Sequence, residues 1–136
     1  MIRRTVTSPP VISLALALLL VPAVQCAAAG TSVRIVHVVM VWLKEPGNAA
    51  QRARVIEATR GFASIPGVME IRVGEPLPSR RATVDDSFDV GLYVTFSSQE
   101  ALEGYLTNSE HQAARETVLR PLVKRVLIYD FRDDGA

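Results

Sequence analysis

The segment SVRIVHVVMVWLK, residues 32–44, constrains the fold more than any other part of the chain. It is rich in β-branched residues, which favour strands, and it is apolar at both its odd and its even positions. A strand with two apolar sides must be covered on both of them, so it sits inside a sheet and away from a solvated surface. We therefore predict a sheet that is covered on both faces.

Periodicity and capping signals predict the remaining elements. They are a helix over 49–65, strands over 68–77 and 88–96, helices over 97–106 and 109–122, and a strand over 123–131. The order is βαββα(α)β with a hairpin between the second and third strands, which is the order of a ferredoxin-like α+β fold. Such a fold has a four-stranded antiparallel sheet with helices on one face. Because the first strand is apolar on both sides, we predict a homodimer whose two sheets close a dimeric α/β barrel.

The N-terminus has the three-part pattern of a secretory signal peptide. A positively charged start precedes an apolar run, and a stretch of small residues follows it. The run is shorter than the roughly 20 residues of a membrane span, so we predict no spanning helix. We therefore predict a signal peptide over 1–29, one domain over 30–136, and an exported protein, periplasmic or secreted.

A cysteine near the end of this leader raises the alternative of a lipid anchor. Bacterial lipoproteins carry a lipidated cysteine at the place where Cys26 stands. Gln25 precedes it, however, where a small residue is expected, so plain export is the preferred prediction.

Charge and cysteine content exclude two classes of function. The chain has 15 basic and 14 acidic residues, and loss of Arg3 and Arg4 with the leader would leave a domain close to neutral. A near-neutral domain without a basic patch has no electrostatic reason to bind nucleic acid. The single cysteine lies in the leader, so the domain itself has neither a disulfide nor thiolate chemistry.

The segment EGYLTNSEHQAAR places Tyr105 and His111 on either side of a polar break between two predicted helices. Thr107 or Asn108 caps the second of these two helices, the one over 109–122, which puts His111 in its first turn. There the unpaired amides and the helix dipole disfavour a protonated imidazole. Because a general base must be unprotonated, we predict Tyr105 and His111 as a catalytic pair.

The other histidine, His37, lies in the middle of the first strand. A buried imidazole needs a hydrogen-bond partner, since a missing bond costs about 1–3 kcal/mol. If its face of the strand looks at the helices, His37 faces Tyr105 and His111, and we predict it as a substrate-binding residue. The alternative is that each histidine is a cap or a satisfied core residue. Two histidines without an inward Asp or Glu make a poor metal site, so we predict no metal.

Five segments in this order resemble the stress-responsive dimeric A/B barrel (Dabb) domain family: VHVVMVWLK, IPGV, FDVGLYVTFSSQEALEGYL, SEHQAA and VLIYDF. The resemblance covers nearly all of residues 30–136 and implies a barrel-forming dimer without a tightly bound cofactor. In a plant polyketide cyclase of this family, the catalytic tyrosine and histidine fall on Tyr105 and His111, and a further histidine falls on His37. The resemblance thus implies aldol cyclase or lyase chemistry, with His111 as base and Tyr105 bonding the enolate oxygen.

Two hypotheses for the function follow. In the first, a cofactor-free dimeric barrel binds an apolar or aromatic small molecule and acts on it through Tyr105 and His111. In the second, the chain is a non-catalytic stress-response or envelope protein whose dimer is the functional unit. Ala58 and Val90 stand where the cyclase pocket has polar groups, so the cyclase's own substrate is not expected. An aromatic content of 6% disfavours a third class, the cofactor-independent oxygenases.

Overall fold

The computed structural model describes residues 33–135, and every structural statement below concerns that part of the chain. The predicted signal peptide and Cys26 lie outside it. The strands are β1 (Arg34–Leu43), β2 (Val68–Gly74), β3 (Val90–Phe96) and β4 (Val123–Asp133). The helices are α1 (Ala49–Gly61), α2 (Gln99–Thr107), α3 (Ser109–Ala114) and α4 (Arg120–Leu122). A 3-10 turn (Phe62–Ser64) follows α1, and a π-helical turn (Arg115–Leu119) joins α3 to α4. Within 33–135, no helix has both the length and the apolar content that crossing a bilayer requires.

The four strands form one antiparallel sheet in the order β2-β3-β1-β4. The strand β1 therefore has a neighbour on each side, as expected for the most apolar segment of the chain. The hairpin β2-β3 and the two helical crossovers give the split βαβ arrangement. The predicted ferredoxin-like α+β fold is confirmed.

The helices pack on one face of this sheet. The core on that face includes Ile35, Val39, Val41 and Leu43 of β1, together with Val90, Leu92, Val94 and Phe96 of β3. The opposite face carries the alternate positions of the same strands, since successive side chains of a strand point to opposite sides. Its members on β4 include Tyr129 and Phe131, which pair with Val38 and Val36 of β1 and are 57% and 51% exposed.

Side-chain caps determine where the helices begin. Asn48 accepts a hydrogen bond from the Gln51 amide at 3.0 Å at the start of α1. The helix predicted over 97–106 was placed with its start at Ser97, which is wrong by one residue, because Ser98 is the extended cap of α2, and its hydroxyl accepts from the Ala101 amide at 3.2 Å. Each such cap stabilises its helix by about 1 kcal/mol.

A buried aspartate shortens the predicted third strand at its start. The prediction began that strand at Phe88, whereas β3 begins at Val90. The Asp89 carboxylate accepts hydrogen bonds from the backbone amides of Leu43 at 2.8 Å and Gly47 at 2.7 Å. Asp89 thereby fixes the chain between β1 and α1, where Gly47 adopts the positive φ of 76° that favours glycine.

Candidate functional site

Three elements bring the aromatic residues predicted from the sequence together. His37 lies mid-strand on the helix-facing side of β1, Tyr105 lies in the last turn of α2, and His111 lies in the first turn of α3. The ring centroids of Tyr105 and His111 are 4.4 Å apart, and those of His37 and Tyr105 are 6.0 Å apart. The three side chains are 1–7% exposed. The structure therefore places all three predicted residues in one buried cluster, with Tyr105 in contact with both histidines.

The break between α2 and α3 turns both side chains towards the sheet. Asn108 is extended, and its side-chain oxygen accepts a hydrogen bond from the Glu110 amide at 2.8 Å. The side chain of Gln112 donates to the Leu106 carbonyl, which ties the start of α3 to the end of α2. These two contacts fix the angle at which Tyr105 and His111 approach each other.

Two phenylalanines pack around the cluster. Phe62, in the 3-10 turn after α1, lies with its ring centroid 5.1 Å from that of His111 and 5.8 Å from that of Tyr105. Phe96, at the end of β3, lies 5.1 Å from Tyr105. The two Phe62 contacts are edge-to-face and that of Phe96 is tilted, and such contacts hold aromatic rings in preferred orientations. Sequence reasoning did not single out Phe62, although buried Val55, Thr59 and Phe62 follow helical spacing.

His37 has a carboxylate partner that the sequence analysis missed. The Nδ1 atom of His37 donates to Oδ1 of Asp130 across 2.6 Å. The two residues are directly opposite in the β1-β4 register. The prediction that no inward carboxylate supports the histidines was therefore wrong. A carboxylate at Nδ1 takes the hydrogen bond of that nitrogen and leaves Nε2 without a partner in this pair.

The hydrogen bonding of His111 differs from that of His37. Its Nδ1 atom is buried and has no hydrogen-bond partner among residues 33–135. Burial is the largest cause of the lowered pKa of His111, a hydrogen bond to the Leu106 carbonyl opposes it, and the positive charge of Arg115 adds to it. The lowered pKa favours the neutral form of the imidazole near neutral pH.

The adjacent tyrosine is held in its protonated form. Burial raises the pKa of Tyr105 far above its ordinary value, so the phenol keeps its proton at any physiological pH. A neutral imidazole and a protonated phenol therefore stand side by side. The first can accept a proton and the second can donate a hydrogen bond.

The three rings line one cavity of about 600 Å³ between the sheet and the helices. Its wall includes the aliphatic side chains of Val39, Val41, Val55, Val90, Leu92 and Ile128. A cavity of this size with apolar walls and a few convergent polar groups is typical of small-molecule sites. No group of three His, Cys, Asp or Glu side chains within 33–135 is arranged to hold a metal ion.

The family model described as the stress responsive A/B barrel domain (Dabb) matches residues 35–133. Among curated proteins, no relative has significant sequence similarity to the chain.

Solved structures share the fold. A Dabb family protein of Mesorhizobium loti with a ferredoxin-like fold is 23% identical, with a TM-score of 0.62 over 76% of this chain and 99% of that one. A dimeric ferredoxin-like protein of Thermobifida fusca is 18% identical, with a TM-score of 0.60 over 74% of this chain and 92% of that one. The hydroxynitrile lyase of Passiflora edulis is 17% identical, with a TM-score of 0.65 over 77% of this chain and 97% of that one. At these identities the likeness concerns the fold alone. The family match over residues 35–133 nevertheless shows that this chain belongs to the Dabb, or stress responsive A/B barrel, domain family.

Proposed function

We propose that this Dabb protein binds an apolar or aromatic carbonyl compound in its cavity and acts on it as a cofactor-independent lyase or cyclase. One observation carries the proposal. The buried Nδ1 atom of His111 has no hydrogen-bond partner among the described residues 33–135, and its ring stands beside the Tyr105 phenol on the wall of a cavity of about 600 Å³. An unpaired buried nitrogen lowers the stability of the fold, and native proteins retain such a group where it has a functional role.

In this proposal His111 is the general base. It takes a proton from the carbon next to the substrate carbonyl, and the electron pair of that C–H bond moves into the carbonyl to form an enolate. Tyr105 donates a hydrogen bond to the enolate oxygen as its negative charge develops, which is the stabilisation that contributes most in such reactions. The enolate carbon then attacks a second carbonyl to form a C–C bond, and the alkoxide that results takes the proton from His111. The same steps in reverse cleave such a bond.

His37 binds the substrate in this scheme. Asp130 holds Nδ1 of His37, so the other ring nitrogen is available for a hydroxyl or amide of the ligand. The pair also places a hydrogen-bonding group on the sheet side of the cavity, opposite the helices that carry Tyr105 and His111. The substrate would thereby be oriented between the two sides.

A protein of the same fold supports the proposal of lyase chemistry. The hydroxynitrile lyase of Passiflora edulis has the same fold, at 17% identity. A lyase reaction needs proton transfer and charge stabilisation, both of which a histidine and a tyrosine can supply.

The unit that acts is, in this proposal, an exported homodimer. The sheet face opposite the helices presents Tyr129 and Phe131 half-exposed on β4, and large apolar side chains in such a position favour burial against a partner. Solved relatives from Thermobifida fusca and Bacteroides fragilis are described as dimeric. Export rests on the leader pattern of residues 1–29.

A lyase assay tests the proposed chemistry. We expect wild-type protein to release the aldehyde from a β-hydroxy ketone with an aromatic substituent faster than buffer does. His111→Ala should lose about 100-fold or more of that rate, because a positioned base contributes roughly 10²–10⁴-fold. Tyr105→Phe should lose about 100-fold, since it removes one donor to the developing oxyanion.

The control is Tyr93→Phe, which removes the same atom from a tyrosine on the opposite face of the sheet, paired with Val38. Its rate should equal that of wild type. Equal rates in wild type, His111→Ala and Tyr105→Phe would contradict the assignment. Absence of both turnover and ligand binding would favour the non-catalytic hypothesis.

A further inference from the structure

We propose that the ligand of the cavity is an organic anion, whose apolar body lies inside and whose single anionic head is held at the mouth by Arg115 and Lys124. This inference rests on the proposed function and specifies its ligand class. It follows from the distribution of charge around the cavity, which the acid-base cluster does not explain.

The charges lie on one side of the cavity. The lining residues with ionisable long side chains are Arg115, Glu116, Arg120, Lys124 and Arg125, and all of them are exposed. They come from the π-helical turn, α4 and the first residues of β4. The remainder of the wall consists of the buried histidines, the Tyr105 phenol, Thr59, Phe62 and aliphatic side chains. The cavity is therefore apolar within and charged where it meets solvent.

Three of these five side chains already have partners. The guanidinium of Arg120 donates to the Glu116 carboxylate at 2.7 Å, so that pair is close to neutral. The guanidinium carbon of Arg125 lies 4.3 Å from the centroid of the Trp42 ring, and Trp42 pairs with Arg125 on the sheet face away from the cavity. Within the part of the chain that the structure describes, Arg115 and Lys124 form no ion pair. Arg125 is held by the Trp42 ring, so two positively charged side chains, those of Arg115 and Lys124, remain without a partner at the mouth.

Both cations are placed by irregularities in the backbone. Arg115 is the first residue of the π-helical turn and follows His111 by four residues, which puts it one helical turn beyond the base. The β1-β4 register shifts between Trp42 and Leu43, which pair with Arg125 and Val123, so Lys124 has no partner on β1. Bulges of this kind redirect a side chain, and π-turns are frequent at functional sites.

This arrangement favours an anionic ligand over a cationic or a neutral one. A cationic ligand would meet two uncompensated positive charges, and a neutral one would leave both without a partner. An anion with an apolar body satisfies them and also fills the aliphatic cavity. The long apolar stems of arginine and lysine can extend over the ligand while their heads reach the anion.

Two fluorescent ligands with the same ring system test this inference. The anion 8-anilinonaphthalene-1-sulfonate and the neutral N-phenyl-1-naphthylamine differ in one sulfonate, and both brighten in apolar surroundings. The NMR signals of the His111 ring report whether each one enters this cavity. We expect the anion to bind about tenfold more tightly than the neutral compound. The Kd of the anion should rise with salt concentration, whereas that of the neutral compound should not. Competition by 4-phenylbutyrate but not by 4-phenylbutan-1-ol would extend the result to carboxylates.

Variants at the mouth make the test specific. The double variant Arg115→Gln with Lys124→Gln should weaken binding of the anion about tenfold and leave that of the neutral compound unchanged. Arg80→Gln with Arg81→Gln removes the same charge from an exposed loop outside the cavity lining and should change neither. Equal binding of the two compounds, with no effect of the mouth variants, would overturn the anion inference and leave the apolar cavity standing. Failure of both compounds to shift the His111 signals would overturn ligand binding itself.

Discussion

Replacement of Tyr129 and Phe131 by aspartate is expected to separate the proposed dimer into monomers, raising its Kd by at least about 100-fold, or roughly 2.7 kcal/mol. Both side chains lie on the sheet face opposite the helices and are 57% and 51% exposed in the single chain. Closing two sheets into a barrel would bury four new carboxylates per dimer in an apolar interface, and each unpaired buried charge costs several kcal/mol. Sedimentation velocity over a range of protein concentrations measures the change.

A matched control uses the other face of the same strand. Val126 and Ile128 are 45% and 48% exposed, and they pair with Val41 and Val39 on the helix-facing side. Their replacement by aspartate introduces the same charge at similar exposure and should leave the dimer intact. Dissociation by both double variants, or by neither, would contradict the assignment of the interface to the Tyr129 and Phe131 face.

Truncation of Tyr105 to alanine is expected to lower the free energy of unfolding by about 4 kcal/mol, within the range of roughly 3–5 kcal/mol for buried aromatic residues. Tyr105 is 1% exposed and its ring contacts those of Phe62, Phe96 and both histidines. The variant Tyr105→Phe keeps these contacts and should lose no more than about 1.5 kcal/mol. Urea unfolding at one fixed protein concentration measures both, since a dimer's stability depends on concentration.

Leu77 provides the control for this truncation, because it is 85% exposed. Leu77→Ala should change the free energy of unfolding by about 0.5 kcal/mol or less. A small loss for Tyr105→Ala, similar to that of Leu77→Ala, would show that the ring does not hold the cluster together. The placement of His111 in the proposed site would then lose its support.

The sequence predicts the scaffold well because its signals are local. The two apolar sides of residues 34–43 predict a central strand, and β1 is central. The polar break at Asn108 predicts a helix start, and Asn108 caps α3. Capping and periodicity act over a few residues, so they can be read from one sequence. The error of one residue at Ser98 shows their limit, since two adjacent serines offer the same chemistry.

Only part of the candidate site could be predicted from the sequence, because the rest depends on how β4 is aligned against β1. His37, Tyr105 and His111 could be identified from their positions in the predicted elements. Asp130 could not, since its contact with His37 requires the alignment of β4 against β1, which no local pattern fixes. The same holds for Lys124, which loses its partner through a register shift at the far end of the same strand pair.

The central claim is that a neutral His111 and the Tyr105 phenol share one cavity. NMR titration of the histidine rings in wild type and in Tyr105→Phe tests it most directly, with His111→Gln to assign the signals. We expect a pKa for His111 below its ordinary value of 6.5. We also expect this pKa to change when the hydroxyl of Tyr105 is removed, because the ring centroids of the two residues are 4.4 Å apart. A His111 pKa at the ordinary value, the same in both proteins, would contradict it.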